Sequence, residues 1–333
     1  MYLQFLRSDN YGFLIIFGTM QKNNPSRSWS VTFLLVSIVA FLNASCSNQV
    51  STTDSLAIPL EVASSNNNIS ALKIGVLPTQ SHQEQQQMIK PLENYLEKSL
   101  KTEVNFEIAS SYKQIVEWLV DEKIDMAHVT GVSYLEALEA GAEIEPLVAP
   151  VNKYTGRAWY RAAIIVKSDS NIKTLHQLIN KRFAFVNKYS TSGYLMPFTA
   201  LNELGIHPEQ DFKKVVYPGT HTKTLAALEN GDIDAAATNI TYYHEQQKMG
   251  KLKPEKFRVI WESEPIPPSL IVVSKKIPID SIKQLKISFL NTPEGIEDIF
   301  GEQSAGYTTI ADSDYTSIRD LRAKLSFKTE KVK

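Results

Sequence analysis

Residues 183–204 read FAFVNKYSTSGYLMPFTALNEL. Phe183 to Val186 is an apolar run of strand length, and Asn187 to Ser192 is a polar turn. Tyr194, Leu195, Phe198, Leu201 and Leu204 then recur at helical spacing. A strand that runs through a hydroxyl-rich turn into a helix start can bind an anion. The first turn of a helix has N–H groups with no internal acceptor, and the helix dipole places partial positive charge there. Ser190, Thr191 and Ser192 add hydroxyl donors, and Gly193 lets an oxyanion approach the backbone. The same serines and threonine also read as an ordinary helix cap, and the turn alone does not choose between the two.

Working outward, apolar alternation and helical periodicity take turns along the chain. Strands are expected at Leu72–Leu77, Glu103–Ile108, Asp125–Val129 and Ile144–Ala149, with helices between them. Gly131–Ser133 reads as a turn, with Ser133 capping the helix that follows. The rhythm breaks at Asn152–Arg157 and resumes with strands at Ala162–Val166, Phe183–Val186, Lys214–Tyr217, Ile233–Thr238 and Phe257–Trp261. A helix is expected over Thr174–Asn180. A second break, ESEPIPP at 262–268, precedes a strand at Leu270–Val273 and terminal helices. Strand–helix alternation makes an α/β protein whose sheets are mainly parallel. Two series and two breaks give two lobes joined by two hinge crossings, near Gly156 and near Glu264. Lobe 1 is 71–157 plus 265–333, and lobe 2 is 158–264. Such lobes can close over a ligand, which in α/β sheets lies beyond the carboxyl ends of the strands.

The chain has 333 residues, 35 basic and 36 acidic, for a net charge of −1. That balance excludes the basic surface of a nucleic-acid binder. The N-terminal part reads as a leader, 1–46. Trp29–Leu42 is an uncharged apolar run of about 14 residues, of signal-peptide length. Lys22 and Arg27 precede it, and Met20 begins a complete signal peptide by itself. Cys46 is the one cysteine of the sequence, so no intrachain disulfide can form. It follows small residues, as in a lipoprotein cleavage box, although Asn43 holds the place where that box has leucine. Cys46 is therefore the expected lipidation site; cleavage near Ala44, with Cys46 incidental, and retention of the apolar run as an N-terminal anchor are the alternatives. The Ser/Thr/Asn-rich stretch 47–70 reads as a flexible tether.

Beyond the Ser-Thr-Ser turn, His221 ends another strand, while Tyr112 starts a first-lobe helix and Tyr160 lies at the first crossing. Each offers a donor to a cleft; each also reads as a cap or as packing. Ser133 and Tyr134 mark another helix start. No metal-ligand spacing, Gly-x-Gly-x-x-Gly, P-loop or Gly-x-Ser-x-Gly elbow is present. Spacing alone leaves a Ser–His–acid hydrolase open.

Five segments together carry a resemblance: Ala163–Ser170, Ser190–Leu195, Gly219-Thr220-His221, Gly231–Ala236 and Ile260–Pro267. The pattern is similar to the phosphate/phosphite/phosphonate-binding proteins of ABC transporters, the PhnD-like family. That resemblance implies a type II periplasmic-binding-protein fold and a ligand site at Ser190, Thr191, Ser192 and Gly193. His221 is expected on the same phosphorus group, with Tyr112 and Tyr160 closing the site from the other side. Where aminoalkylphosphonate binders of the family carry acidic residues for the amine, this chain has Thr241 and Ser269. A buried ammonium with no carboxylate is costly, so the expected ligand is phosphite, phosphate or a small alkylphosphonate. The implied partners are an ABC permease with its ATPase and, through the lipid anchor, the membrane. The expected protein is a monomer on the extracytoplasmic face, with no cofactor, no metal and no catalytic residue. A sensor of the same fold acting on a signalling partner, and a secreted hydrolase, are the other readings.

Overall fold

The computed structural model describes residues 71–79, 82–153, 155–296 and 304–330. The expected leader, Cys46 and the 47–70 tether lie outside them. The chain opens with β1 (Ala71–Val76), α1 (His82–Leu100), β2 (Glu103–Ile108), α2 (Tyr112–Val120), β3 (Met126–Val129), α3 (Gly131–Glu139) and β4 (Ile144–Asn152). Helical spacing sets the buried side of α1, where Ile89, Leu92 and Leu96 enter the core.

After the first crossing come β5 (Ala162–Lys167), β6 (Arg182–Ala184), α4 (Met196–Glu203), α5 (Pro208–Asp211), β7 (Lys214–Val216), α6 (His221–Asn230), β8 (Ala235–Asn239), α7 (Ile240–Lys248) and β9 (Phe257–Glu262). The chain returns through β10 (Leu270–Ser274), α8 (Ile279–Leu290), β11 (Ser304–Thr308) and α9 (Thr316–Glu330).

Two sheets result, ordered β11-β4-β10-β3-β1-β2 and β7-β6-β8-β5-β9. Each has apolar clusters on both faces: Val129 and Leu270 against Ile74 and Ile271 in the first, Ile165 against Ile164 and Phe183 in the second. This is the two-lobed α/β architecture expected from the sequence, with one correction. The sheets are mixed rather than mainly parallel in their pairing. β1–β2, β1–β3, β6–β7 and β6–β8 pair parallel, while β10 runs against β3 and β4, β11 against β4, and β5 against β8 and β9. The reason is the crossing itself. A chain arriving from the other lobe enters at the carboxyl ends of the resident strands, so β5 and β10 must run back against them.

Three local expectations also change. The helix after β3 starts at Gly131, capped by Thr130, whose hydroxyl accepts the Ser133 N–H; Ser133 is inside the helix. Residues 175–178 form a single 3₁₀ turn in place of a longer helix. The edge strand β11 was not foreseen between the terminal helices. The two crossings are hydrogen-bonded to each other. Tyr160 and Ile266 exchange N–H···O bonds of 3.3 and 2.9 Å, and the Ser263 hydroxyl accepts the Ala162 N–H at 2.9 Å.

Candidate ligand-binding site

The site grows from the turn after β6. The Ser190 hydroxyl accepts the Gly193 N–H at 2.9 Å, and the Leu195 N–H reaches the Ser190 carbonyl at 3.1 Å. That five-residue step makes Thr191–Leu195 a π-type turn, a form frequent at functional positions, before α4 begins. Two neighbouring loops deliver the next pieces. Thr220 caps α6, so that His221 is its first residue. Asn239 caps α7, its Oδ1 accepting the N–H groups of Thr241 and Tyr242. Asn187 ties the first two loops together by donating from Nδ2 to the Gly219 carbonyl at 3.0 Å.

These second-lobe loops face the ends of first-lobe strands across a small cavity of about 30 Å³. Its walls are Thr79, Tyr112, Thr130, Tyr160, Ser190, Ser192, His221, Asn239, Tyr242 and Ser269. Five helices begin at this wall: α2 at Tyr112, α3 after Thr130, the π turn leading into α4 after Ser190, α6 at His221 and α7 after Asn239. Their dipoles give a positive potential although none of the described wall residues carries a charge. Among the described residues, the N–H groups of Thr191, Ser192, His221 and Thr222 have no acceptor. The Ser192 and Ser269 hydroxyls likewise have no partner among the described residues, although Ser192 is only 2% exposed.

The imidazole of His221 is held in one tautomer. Its Nδ1 lies 2.9 Å from Thr238 Oγ1 and 3.3 Å from the backbone nitrogen of Asn239. A backbone N–H can only donate, so Nδ1 accepts and the ring proton sits on Nε2. Burial pulls the imidazole down to about 4, which keeps it neutral at ordinary pH. His221 thus offers the neutral Nε2–H as a donor. Its Nδ1 partner is a threonine and not a carboxylate, so no Ser–His–acid relay is built around it.

Of the residues singled out from sequence, Ser190, Ser192, His221, Tyr112, Tyr160 and Ser269 meet at this cavity. Thr191 turns to the other lobe, where its Oγ1 accepts the Val132 N–H at 3.1 Å. Gly193 is not on the wall. A Cβ there would lie 2.3 Å from Val186 Cγ2 and 2.5 Å from Val186 Cβ, so glycine is required by the close approach of Val186. Thr241 lies outside the cavity, on an adjoining pocket. Tyr134 is spent on packing, its hydroxyl 2.6 Å from Asp312. Thr79, Thr130, Asn239 and Tyr242 were missed; Thr130 and Asn239 carried an ordinary helix-cap signal that could have pointed to them.

The lobes touch directly beside the cavity. Thr130 Oγ1 donates to the Tyr189 carbonyl at 2.7 Å, and Thr222 Oγ1 donates to the Thr79 carbonyl at 2.8 Å. Tyr242 OH lies 2.6 Å from Thr222 Oγ1, which extends that second link. Among the described residues there is no cluster of three or more His, Cys, Asp or Glu able to hold a metal ion, and no helix long and apolar enough to cross a membrane.

The chain is 27% identical over 270 residues to the phosphate-import protein PhnD of Mycolicibacterium smegmatis, covering 75% of this chain and 84% of that one. It is 29% identical over 248 residues to the phosphonates-binding periplasmic protein of Escherichia coli, covering 72% of each chain. Its fold is that of PhnD1 from Prochlorococcus marinus, solved in complex with methylphosphonate, with a TM-score of 0.68 at 24% identity over 77% of this chain and 98% of that one. Residues 74–324 match the family described as "ABC transporter, phosphonate, periplasmic substrate-binding protein". The chain belongs to that family, and is therefore an extracytoplasmic substrate-binding protein of an ABC transporter rather than an enzyme.

Proposed function

We propose that this protein captures a small phosphorus oxyanion (phosphite, phosphate or a short alkylphosphonate) in the cavity between its lobes and presents it to an ABC permease driven by its ATPase. One observation carries the reading: a cavity at converging helix starts, walled by hydroxyls, an amide and a neutral imidazole, with no charged side chain. Ser190, Ser192, His221, Asn239 and the free first-turn N–H groups are the donors from the second lobe. Tyr112, Tyr160 and Ser269 close the other side. Thr191 acts indirectly, by holding the lobes together. The names of the relatives, phosphate import in one and phosphonate binding in the other, agree on the phosphorus acid and not on its substituent.

The energetics suit a scavenging receptor. A hydrogen bond to a charged group contributes about 1.5–3 kcal/mol. Four or five of them, less the cost of closure, leave about −8 kcal/mol, a micromolar dissociation constant. An ammonium buried in this cavity would meet no carboxylate, which disfavours aminoalkylphosphonates. In the same reading Cys46 carries the lipid that anchors a monomer to the membrane.

Titration calorimetry with phosphite, phosphate, methylphosphonate and 2-aminoethylphosphonate tests the proposal. We expect micromolar binding of at least one of the first three and weaker binding of the fourth. If the amino compound binds best, by about tenfold (1.4 kcal/mol), the neutral-cavity argument fails.

A further inference from the structure

Beside the cavity lies a second pocket of about 50 Å³. Its wall shares Tyr160, Asn239 and Ser269 with the cavity and adds Asn152, Arg157 and Thr241. Among the described residues, Arg157 is the single charged one on that wall. Its guanidinium carbon lies 4.6 Å from the centre of the Trp159 ring, a cation–π contact. The backbone around it is pinned, the Asn152 N–H bonding to the Arg157 carbonyl at 3.1 Å and the Arg157 N–H to Thr155 Oγ1 at 3.3 Å.

Every other described arginine uses its guanidinium inside the protein. Arg161 donates to Ser263, Arg258 to Ser170 and Ile172, and Arg182, Arg319 and Arg322 to carboxylates. Arg157 alone, among the described residues, has no acceptor for its guanidinium N–H groups. Nor does a carboxylate line this pocket among the described residues. Glu245 is joined to the wall through Asn152, whose Nδ2 donates to Glu245 Oε1 at 3.0 Å.

We propose that this second pocket receives an anionic arm of the ligand, so that the protein takes phosphonates bearing a carboxylate one or two carbons from phosphorus. The proposal rests on the reading of the cavity as the phosphorus site. The phosphorus group occupies the cavity, the arm passes the boundary marked by Tyr160, Asn239 and Ser269, and Arg157 receives the carboxylate. A guanidinium presents parallel N–H groups that match a carboxylate, and stacking on Trp159 limits the orientations it must give up on binding. An amine at the same place would face a cation with nothing to neutralise it.

The experiment is calorimetric titration of the full chain and of Arg157→Gln with methylphosphonate, phosphonoacetate and 2-aminoethylphosphonate. Phosphonoacetate is expected to bind the unmodified chain about tenfold more tightly than methylphosphonate. Arg157→Gln should erase that advantage and leave the methylphosphonate constant within about twofold. Arg157 is exposed, so an unchanged melting temperature shows that the variant is folded. Phosphonoacetate binding no tighter than methylphosphonate, or a variant that weakens both alike, overturns the proposal. Tight methylphosphonate binding together with either result defeats the arm pocket alone. Failure to bind any phosphorus acid defeats the phosphorus site itself.

Discussion

The Thr191 hydroxyl oxygen accepts the N–H of Val132 across the cleft at 3.1 Å, so a second-lobe turn is pinned to the first turn of a first-lobe helix. Ser192, the next residue, faces the cavity instead. Two adjacent hydroxyls therefore differ, one joining the lobes and the other opening onto the cavity.

Removing the first should act on closure. Thr191→Val keeps the shape but leaves the Val132 N–H unpaired only when the lobes are shut, a cost of about 1–3 kcal/mol. Ligand affinity should fall between about 5-fold and 100-fold. Small-angle scattering should show a larger radius at a given ligand concentration, and Thr191→Ser should restore both. Unchanged affinity would mean that the contact does not hold the closed form.

Gly193→Ala tests the turn. The added methyl meets Val186 Cβ, which is fixed to the backbone and cannot rotate away. We expect a loss of about 1–3 kcal/mol or more of stability, read by denaturant unfolding, because overpacking forces the backbone to shift. A variant as stable as the parent would show that the turn has room.

Asn239→Asp separates fold from function. Aspartate caps a helix as well as asparagine does, so α7 should keep its stability. The new carboxylate would face an anion across the cavity. Repulsion of about 3 kcal/mol at close range in a partly shielded site gives roughly a 100-fold loss of affinity for methylphosphonate. Calorimetry reads the loss, and thermal unfolding without ligand reads the unaltered cap.

Acid should weaken the folded state through the buried histidines. His221 is depressed from 6.5 to about 4 and His128 well below 6.5, each because burial disfavours the charged ring. In the unfolded chain these rings protonate near pH 6.5. The unfolded state therefore binds more protons below that pH, and stability falls as pH drops from 6.5 towards 4, by about 3 kcal/mol for His221 alone. Denaturant unfolding at pH 7.5 and pH 5 should show the loss, and His221→Gln should reduce it.

The sequence exposed the fold well because each lobe announces itself through local patterns. Alternation in Val104, Phe106 and Ile108 and the 3.6-residue spacing in 194–204 depend on near neighbours. The direction of β5 and β10 was not legible, since it depends on where a crossing enters a sheet that is built later. The site was half legible for the same reason. Ser190, Ser192 and His221 stood out as donors at strand ends, but a side chain's direction at a helix start depends on the turn geometry. The π turn sends Thr191 away from the cavity, and Gly193 answers to Val186. Thr79 and Thr130 reach the wall only because the other lobe closes onto them, a non-local event that no spacing encodes.

The central claim is that neutral donors at converging helix starts hold a phosphorus oxyanion, and Ser192 is its clearest test. Its hydroxyl has no partner among the described residues, so Ser192→Ala should leave the melting temperature of the protein alone without ligand. The account predicts that the dissociation constant for methylphosphonate, measured by calorimetry, rises about 10- to 100-fold in this variant, the value of one hydrogen bond to a charged group. An unmodified chain that binds methylphosphonate, with a Ser192→Ala variant that binds it equally well, would contradict the account.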